Sequence, residues 1–134
     1  MRLIRALGLM LVLVVSLGAV ISDAQELTKT NRQGPVTVAV TLSAPPVVGV
    51  PFKARVVLDT HSVGLDGVAF ESAVVLRGPD GVEVAPTAVE QVKGSGHHRE
   101  AVVVFPPFSQ PGPAYILVKA VGGVAERVFA WEWR

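Results

Sequence analysis

The chain has 134 residues, a formal net charge of +1 and no cysteine. It can therefore hold no disulfide, thiol nucleophile, blue-copper centre or Cys-ligated zinc. The near balance of 12 basic and 11 acidic residues gives no electrostatic case for nucleic acid or an anionic membrane.

Residues 1–24 read as a signal peptide. Arg2 and Arg5 form a basic start, residues 6–21 are apolar, and Ser22-Asp23-Ala24 carries the small residues of a cleavage site. The run is shorter than the roughly 20 residues that span a bilayer, so cleavage before Gln25 is expected, with a retained anchor as the alternative. No cysteine follows the run, which excludes a lipoprotein. Cleavage leaves 110 of the 134 residues, enough for one two-layer domain over 25–134. It removes two basic residues and one acidic residue, leaving ten of each, and it removes both methionines, Met1 and Met10. The mature protein then has no thioether ligand for Cu(I), and its expected location is the periplasm or the exterior.

Residues 25–34 are polar and read as a loose lead-in. Residues 36–42 (VTVAVTL) alternate as a strand, and Pro45-Pro46 with Pro51 stiffens the connection that follows. Residues 52–61 (FKARVVLDTH) are the strand on which the domain is centred. By period two, Phe52, Ala54, Val56 and Leu58 share the core face, while Lys53, Arg55, Asp59 and His61 share the solvent face. Residues 62–70 form a loop whose Leu65, Val68 and Phe70 plug the end of the core. Residues 71–77 read as a third strand, turned by Pro79-Asp80-Gly81 into 82–85 because Asp-Gly supplies positive φ. Residues 87–92 continue as an edge strand, Gly94-Ser95-Gly96 is a flexible break, and 98–105 is a further strand. Prolines 106, 107, 111 and 113 stiffen the next connection. Residues 114–121 and 124–133 close the chain as a hairpin across Gly122-Gly123.

No segment keeps a helical period. Short strands at this spacing argue for an all-β fold, an immunoglobulin-like antiparallel β-sandwich of about seven strands. In that architecture the end of strand 52–61 and the start of strand 98–105 lie side by side at one pole. His61 would then sit near His97 and His98, and the Gly122-Gly123 turn would fall at the same pole. These three histidines are the candidate metal ligands, suited to Cu(II), Zn(II) or Ni(II). Asp59 is expected to orient His61 and Glu100 to orient His98, each two residues from its ring on the same strand face. The competing expectation is that the histidines only pin loops, which carries the greater weight because three histidines in 110 residues are not an enrichment.

Other chemistry finds less support. Ser62, His61 and Asp59 hold a hydrolase's residue types, but sequence neighbours seldom adopt triad geometry. Glu71, Glu90 and Glu100 are the carboxylates a glycosidase would draw on, and a domain this small has little room for its cleft. Phe129, Trp131 and Trp133 share one face of the last strand with Arg127, which is placed to stack on them. Phe129 and Trp131 belong to the core, whereas Trp133 is either core or an exposed sugar platform.

The strings LDTHSVGL (58–65), GSGHHREAVVVFP (94–107) and ERVFAWEW (126–133) resemble a group of small exported bacterial and archaeal Ig-like proteins. The likeness covers roughly 52–133. It implies a secreted β-sandwich in which the His61 loop and the His97-His98 turn belong to one pattern, and it implies no activity. The expectation is therefore an exported, non-enzymatic binding module that holds a transition metal, copper or zinc, or a partner at the histidine pole. The alternative is a structural or protein-interaction module of the cell envelope whose histidines pin loops and bind no metal.

Overall fold

The structure, a computed structural model, describes residues 25–134. The signal segment expected over 1–24 lies outside the described residues. Among the described residues nine strands form two antiparallel sheets. The first runs β1 (Thr28–Asn31), β2 (Val36–Leu42), β3 (Phe52–Thr60), β7 (His98–Phe105), β6 (Ala88–Ser95). The second runs β5 (Glu83–Val84), β4 (Val74–Arg77), β8 (Gly112–Val121), β9 (Val124–Trp133).

Alternation decides which side of each strand is buried. Val36, Val38, Val40 and Leu42 of β2 meet Ala54, Val56 and Leu58 of β3 and Ala101, Val103 and Phe105 of β7 on the inner face of the first sheet. Val74, Leu76, Ile116, Val118, Phe129, Trp131 and Trp133 face them from the second. Each fully buried Val, Leu, Ile or Phe is worth about 1.5–3 kcal/mol, and Leu65 and Phe70 close one end of this core as expected.

Four local expectations are corrected. The lead-in is not loose: it contains β1, paired to β2 from Thr28 to Asn31. Its inward side chains, Lys29 and Asn31, reach β9 residues Ala130 and Arg127, so tertiary contacts order a segment with no apolar pattern. The strand expected over 71–77 begins only at Val74. The preceding α1 (Phe70–Ala73) is a single helical turn closed by Ala73 N–H on Ala69 O at 2.9 Å. That turn directs Phe70 into the core. The glycines at 94–96 do not break the chain, because Gly94 and Ser95 pair with Arg99 and His98, leaving Gly96-His97 as the turn. Finally, β8 starts at Gly112 and includes Pro113. Glu132 opposite directs its N–H and C=O away from β8, so the missing proline N–H opens no gap in the ladder.

At the pole opposite the histidines, Phe52, Phe105, Phe108 and Trp133 pack with ring centroids 5.0–6.2 Å apart. Trp133 is only 1% exposed. A sugar platform on its indole is thereby ruled out.

The outer face of the second sheet carries a row that the alternation does not explain. Leu117 points away from the core, yet it is fully buried. It lies between Val75 and Val128 in register. Arg77 stands on one side of that row and Glu126 on the other, joined at 3.3 Å; Glu83 bonds Arg77 at 2.7 Å and Lys119 at 2.6 Å across the same row. The four charged side chains roof Leu117 with their stems as well as their heads, while Val128 at the edge of the row stays exposed.

Candidate binding pole

The register brings the histidine-bearing segments together. Asp59 of β3 stands opposite His98 of β7, and Thr60 N–H donates to His97 O at 3.0 Å. His61 follows directly, exposed, as the chain leaves β3. Gly122 belongs to the same pole, because a Cβ there would meet Val36, the register partner of Thr60.

The carboxylate pairing differs from the expectation. Asp59 Oδ1 bonds His98 Nδ1 at 2.5 Å, and Glu100 pairs with Arg55. Neither acid orients the histidine two residues away in its surroundings as expected. Side chains directly opposite on paired strands, as Asp59 and His98 are, stand closer than i, i+2 neighbours on one strand. The diagonal from Arg55 to Glu100 lies within reach of a long arginine side chain. The Asp59–His98 pair is open to water, with both side chains more than half exposed. Among the described residues no three His, Asp or Glu side chains converge on a point that could hold a metal ion. Ser62 directs its N–H to Thr60 Oγ1, while Asp59 is engaged by His98. Glu90 pairs with Lys53.

The loop after β3 is held by other residues. Thr60 Oγ1 donates to Pro35 O at 2.8 Å and accepts from the amides of Ser62 and Val63. Asp66 Oδ1 accepts from Gly96 N–H at 2.7 Å, and Leu65 N–H donates to Gly96 O at 2.9 Å. Arg99 donates to the carbonyls of Leu65, Asp66 and Val68, with its guanidinium 5.2 Å from the Phe70 ring centroid. Because β7 alternates, Arg99 faces the loop while His98 faces solvent.

Arg127 fastens the other side of the pole. Its guanidinium is fully buried and donates to Val121 O (2.7 Å), Gln33 O (2.7 Å), Val36 O (3.2 Å) and Asn31 Oδ1 (3.1 Å). None of these acceptors is a carboxylate, and burial pushes the group below its ordinary pKa. It does not stack on Phe129 or the tryptophans as expected; the carbonyls at the β1–β2 and β8–β9 turns claim it instead. Sequence reasoning missed this clamp, although an arginine in phase with Phe129, Trp131 and Trp133 was the signal of an inward cation.

Between the two fastened sides lies an open cleft of about 560 Å³. Val63, Leu65 and Val68 of the loop after β3, Ser72 and Ala73 of α1, and the β8–β9 hairpin from Lys119 to Gly123 line it. In that hairpin Ala120 holds φ 54°, with Gly122 at 62° and Gly123 at 74°. A positive φ at a non-glycine residue costs energy that the surrounding structure must supply, and Ala120 bears it at the cleft wall. Sequence reasoning did not find the cleft, since its walls come from segments about 50 residues apart.

Comparison with protein-family models, curated proteins and solved structures gave no match.

Proposed function

We propose that the chain is an exported, non-enzymatic, immunoglobulin-like binding module of the cell envelope, and that the cleft at the histidine pole receives an apolar segment of a protein partner. The strand order supports the immunoglobulin-like reading: β2-β3-β7-β6 against β5-β4-β8-β9 matches the A-B-E-D and C′-C-F-G arrangement of such sandwiches. The observation that carries the binding reading is the 560 Å³ cleft, whose lining includes Val63, Leu65, Val68 and Val121 and whose sides are held by Arg99 and Arg127. Pinned walls lower the entropy cost of ordering on association. Selection of a displayed peptide library on residues 25–134 should enrich apolar peptides. Their affinity should fall at least about tenfold on Ser72→Arg, which puts a long cation into the lining of the cleft, and stay unchanged on Lys53→Ala at the far pole. Binders indifferent to Ser72→Arg would place recognition elsewhere.

A second reading has its own observation. With His98 Nδ1 engaged by Asp59, the ring's other nitrogen is the one free to bind Cu(II) or Zn(II), with His97 and His61 as neighbours on the same pole. A metal at 100 times its dissociation constant should stabilise the fold by about 2.7 kcal/mol, a rise of several degrees in Tm. His61→Ala and His97→Ala/His98→Ala should each abolish that rise. A Tm unchanged by Cu(II), Zn(II) and Ni(II) removes this reading and leaves the histidines to the protein interface.

A further inference from the structure

Gln25 guards the open edge of β9. Its side-chain amide donates through Nε2 to Glu132 O and accepts through Oε1 from Glu132 N–H, both at 2.7 Å. It thus occupies the two backbone positions that an added strand would take. Next to it, Trp131 Nε1–H donates to Glu26 O at 2.8 Å and Lys29 Nζ reaches Ala130 O.

A glutamine at the first position of a chain carries a free α-amine beside its own side-chain amide. The amine can attack Cδ, forming a C–N bond and a five-membered lactam, while the bond from Cδ to Nε2 breaks and that nitrogen leaves as ammonia. No oxidant or second reactant is needed. Cleavage after Ala24 makes Gln25 that residue, so the inference rests on the export reading. Ring closure draws Cδ back to the α-nitrogen, whereas pairing with Glu132 holds the amide out against β9. One side chain cannot do both.

We propose that Gln25 is a modification site governed by the fold: paired to β9 it resists cyclisation to pyroglutamate, and once cyclised it releases Glu132 and opens the β9 edge. The lactam has lost Nε2, and its carbonyl no longer reaches as far as the glutamine's.

The test uses the chain beginning at Gln25, freed from a removable leader, with loss of one ammonia followed by intact mass near neutral pH. A short peptide of residues 25–33 supplies the intrinsic rate. Glu132→Pro deletes the donor to Gln25 without touching the β8 ladder, because that N–H points away from β8. The folded chain should cyclise about tenfold more slowly than the peptide, with Glu132→Pro in between. Hydrogen exchange of the Glu132 amide should quicken in the cyclised protein. Equal rates in folded chain and peptide overturn the proposal, as does a Glu132 amide that exchanges at the same rate before and after cyclisation. The mass of the protein recovered from exporting cells reports the cleavage site separately. A first residue other than Gln25 defeats the export reading, while the rates on the freed chain still decide what the fold does to Gln25.

Discussion

Arg127 shows how one residue can join parts of a sandwich that strand pairing leaves separate. Buried without a carboxylate, it costs desolvation that only four well-placed acceptors offset. Those acceptors come from β1, the β1–β2 turn, β2 and the end of β8, so the guanidinium ties both sheets at the candidate binding pole. Arg127→Leu keeps the volume apolar but strands the carbonyls of Val121, Gln33 and Val36. It should lower stability by about 3 kcal/mol in urea unfolding. Arg127→Lys retains the charge yet cannot fork to the same acceptors, so its loss should be intermediate. An Arg127→Leu protein as stable as wild type would mean that water replaces the clamp at no cost. By contrast, the Asp59–His98 contact is a hydrogen bond on the surface, open to water on both sides, and ties no buried group.

At the scale of elements, the β6–β7 hairpin fixes where the histidines stand. It has a register shift between Glu90 and Lys93, with Gln91 at φ 49°, and then brings Gly94 close to β7. A Cβ on Gly94 would lie 2.1 Å from His98 O at φ 82°, so backbone must move to admit it. Gly81 has a similar φ of 81° in the β4–β5 turn, but open space around it. Gly81→Ala should therefore cost about 1–2 kcal/mol, the backbone penalty alone. Gly94→Ala should cost about 3 kcal/mol or more and displace the His97–His98 segment. Thermal unfolding of the pair checks this directly, and equal losses would show that the approach to His98 O does not matter. The exposed edge strand β6 is otherwise protected by that same irregularity, which hinders pairing with another chain.

For the molecule as a whole, the ion cluster roofing Leu117 contributes stability that acid should remove. The hydrogen bond from Lys119, then that from Arg77, holds the Glu83 carboxyl below its ordinary value. Glu83 in turn raises Arg77, with Glu126 assisting. Since folding depresses Glu83, its ionised form stabilises the fold fully above the unfolded value of about 4.3, and that contribution disappears as pH falls through the folded value. Stability measured by urea unfolding should thus decline below about pH 4.3, and Glu83→Gln should flatten the decline. A variant with the same acid limb as wild type would assign the loss to other carboxylates. High salt should weaken the same cluster, because its members remain partly exposed.

Period-two alternation was enough to read the all-β class and the face assignments of β3, turn residues marked the reversals at Pro79–Gly81 and Gly122-Gly123, and the sandwich architecture inferred from them put the ends of β3 and β7 side by side. That signal is local: each strand states which side it buries, and turn residues state where the chain reverses. Even the burial of Phe129 and Trp131 followed from it. Tertiary structure decided what local pattern cannot encode. The polar lead-in became β1 because Lys29, Asn31 and Gln25 found partners about 100 residues away, where sequence distance carries no periodic trace. Asp59 took His98 rather than His61 because the register across two strands, not spacing along one, sets which side chains touch. Trp133 entered the aromatic end of the core, and Leu117 was buried outside it, because packing partners arrive from other strands. The cleft belongs to this second class, for a concavity exists only once both of its walls are in place.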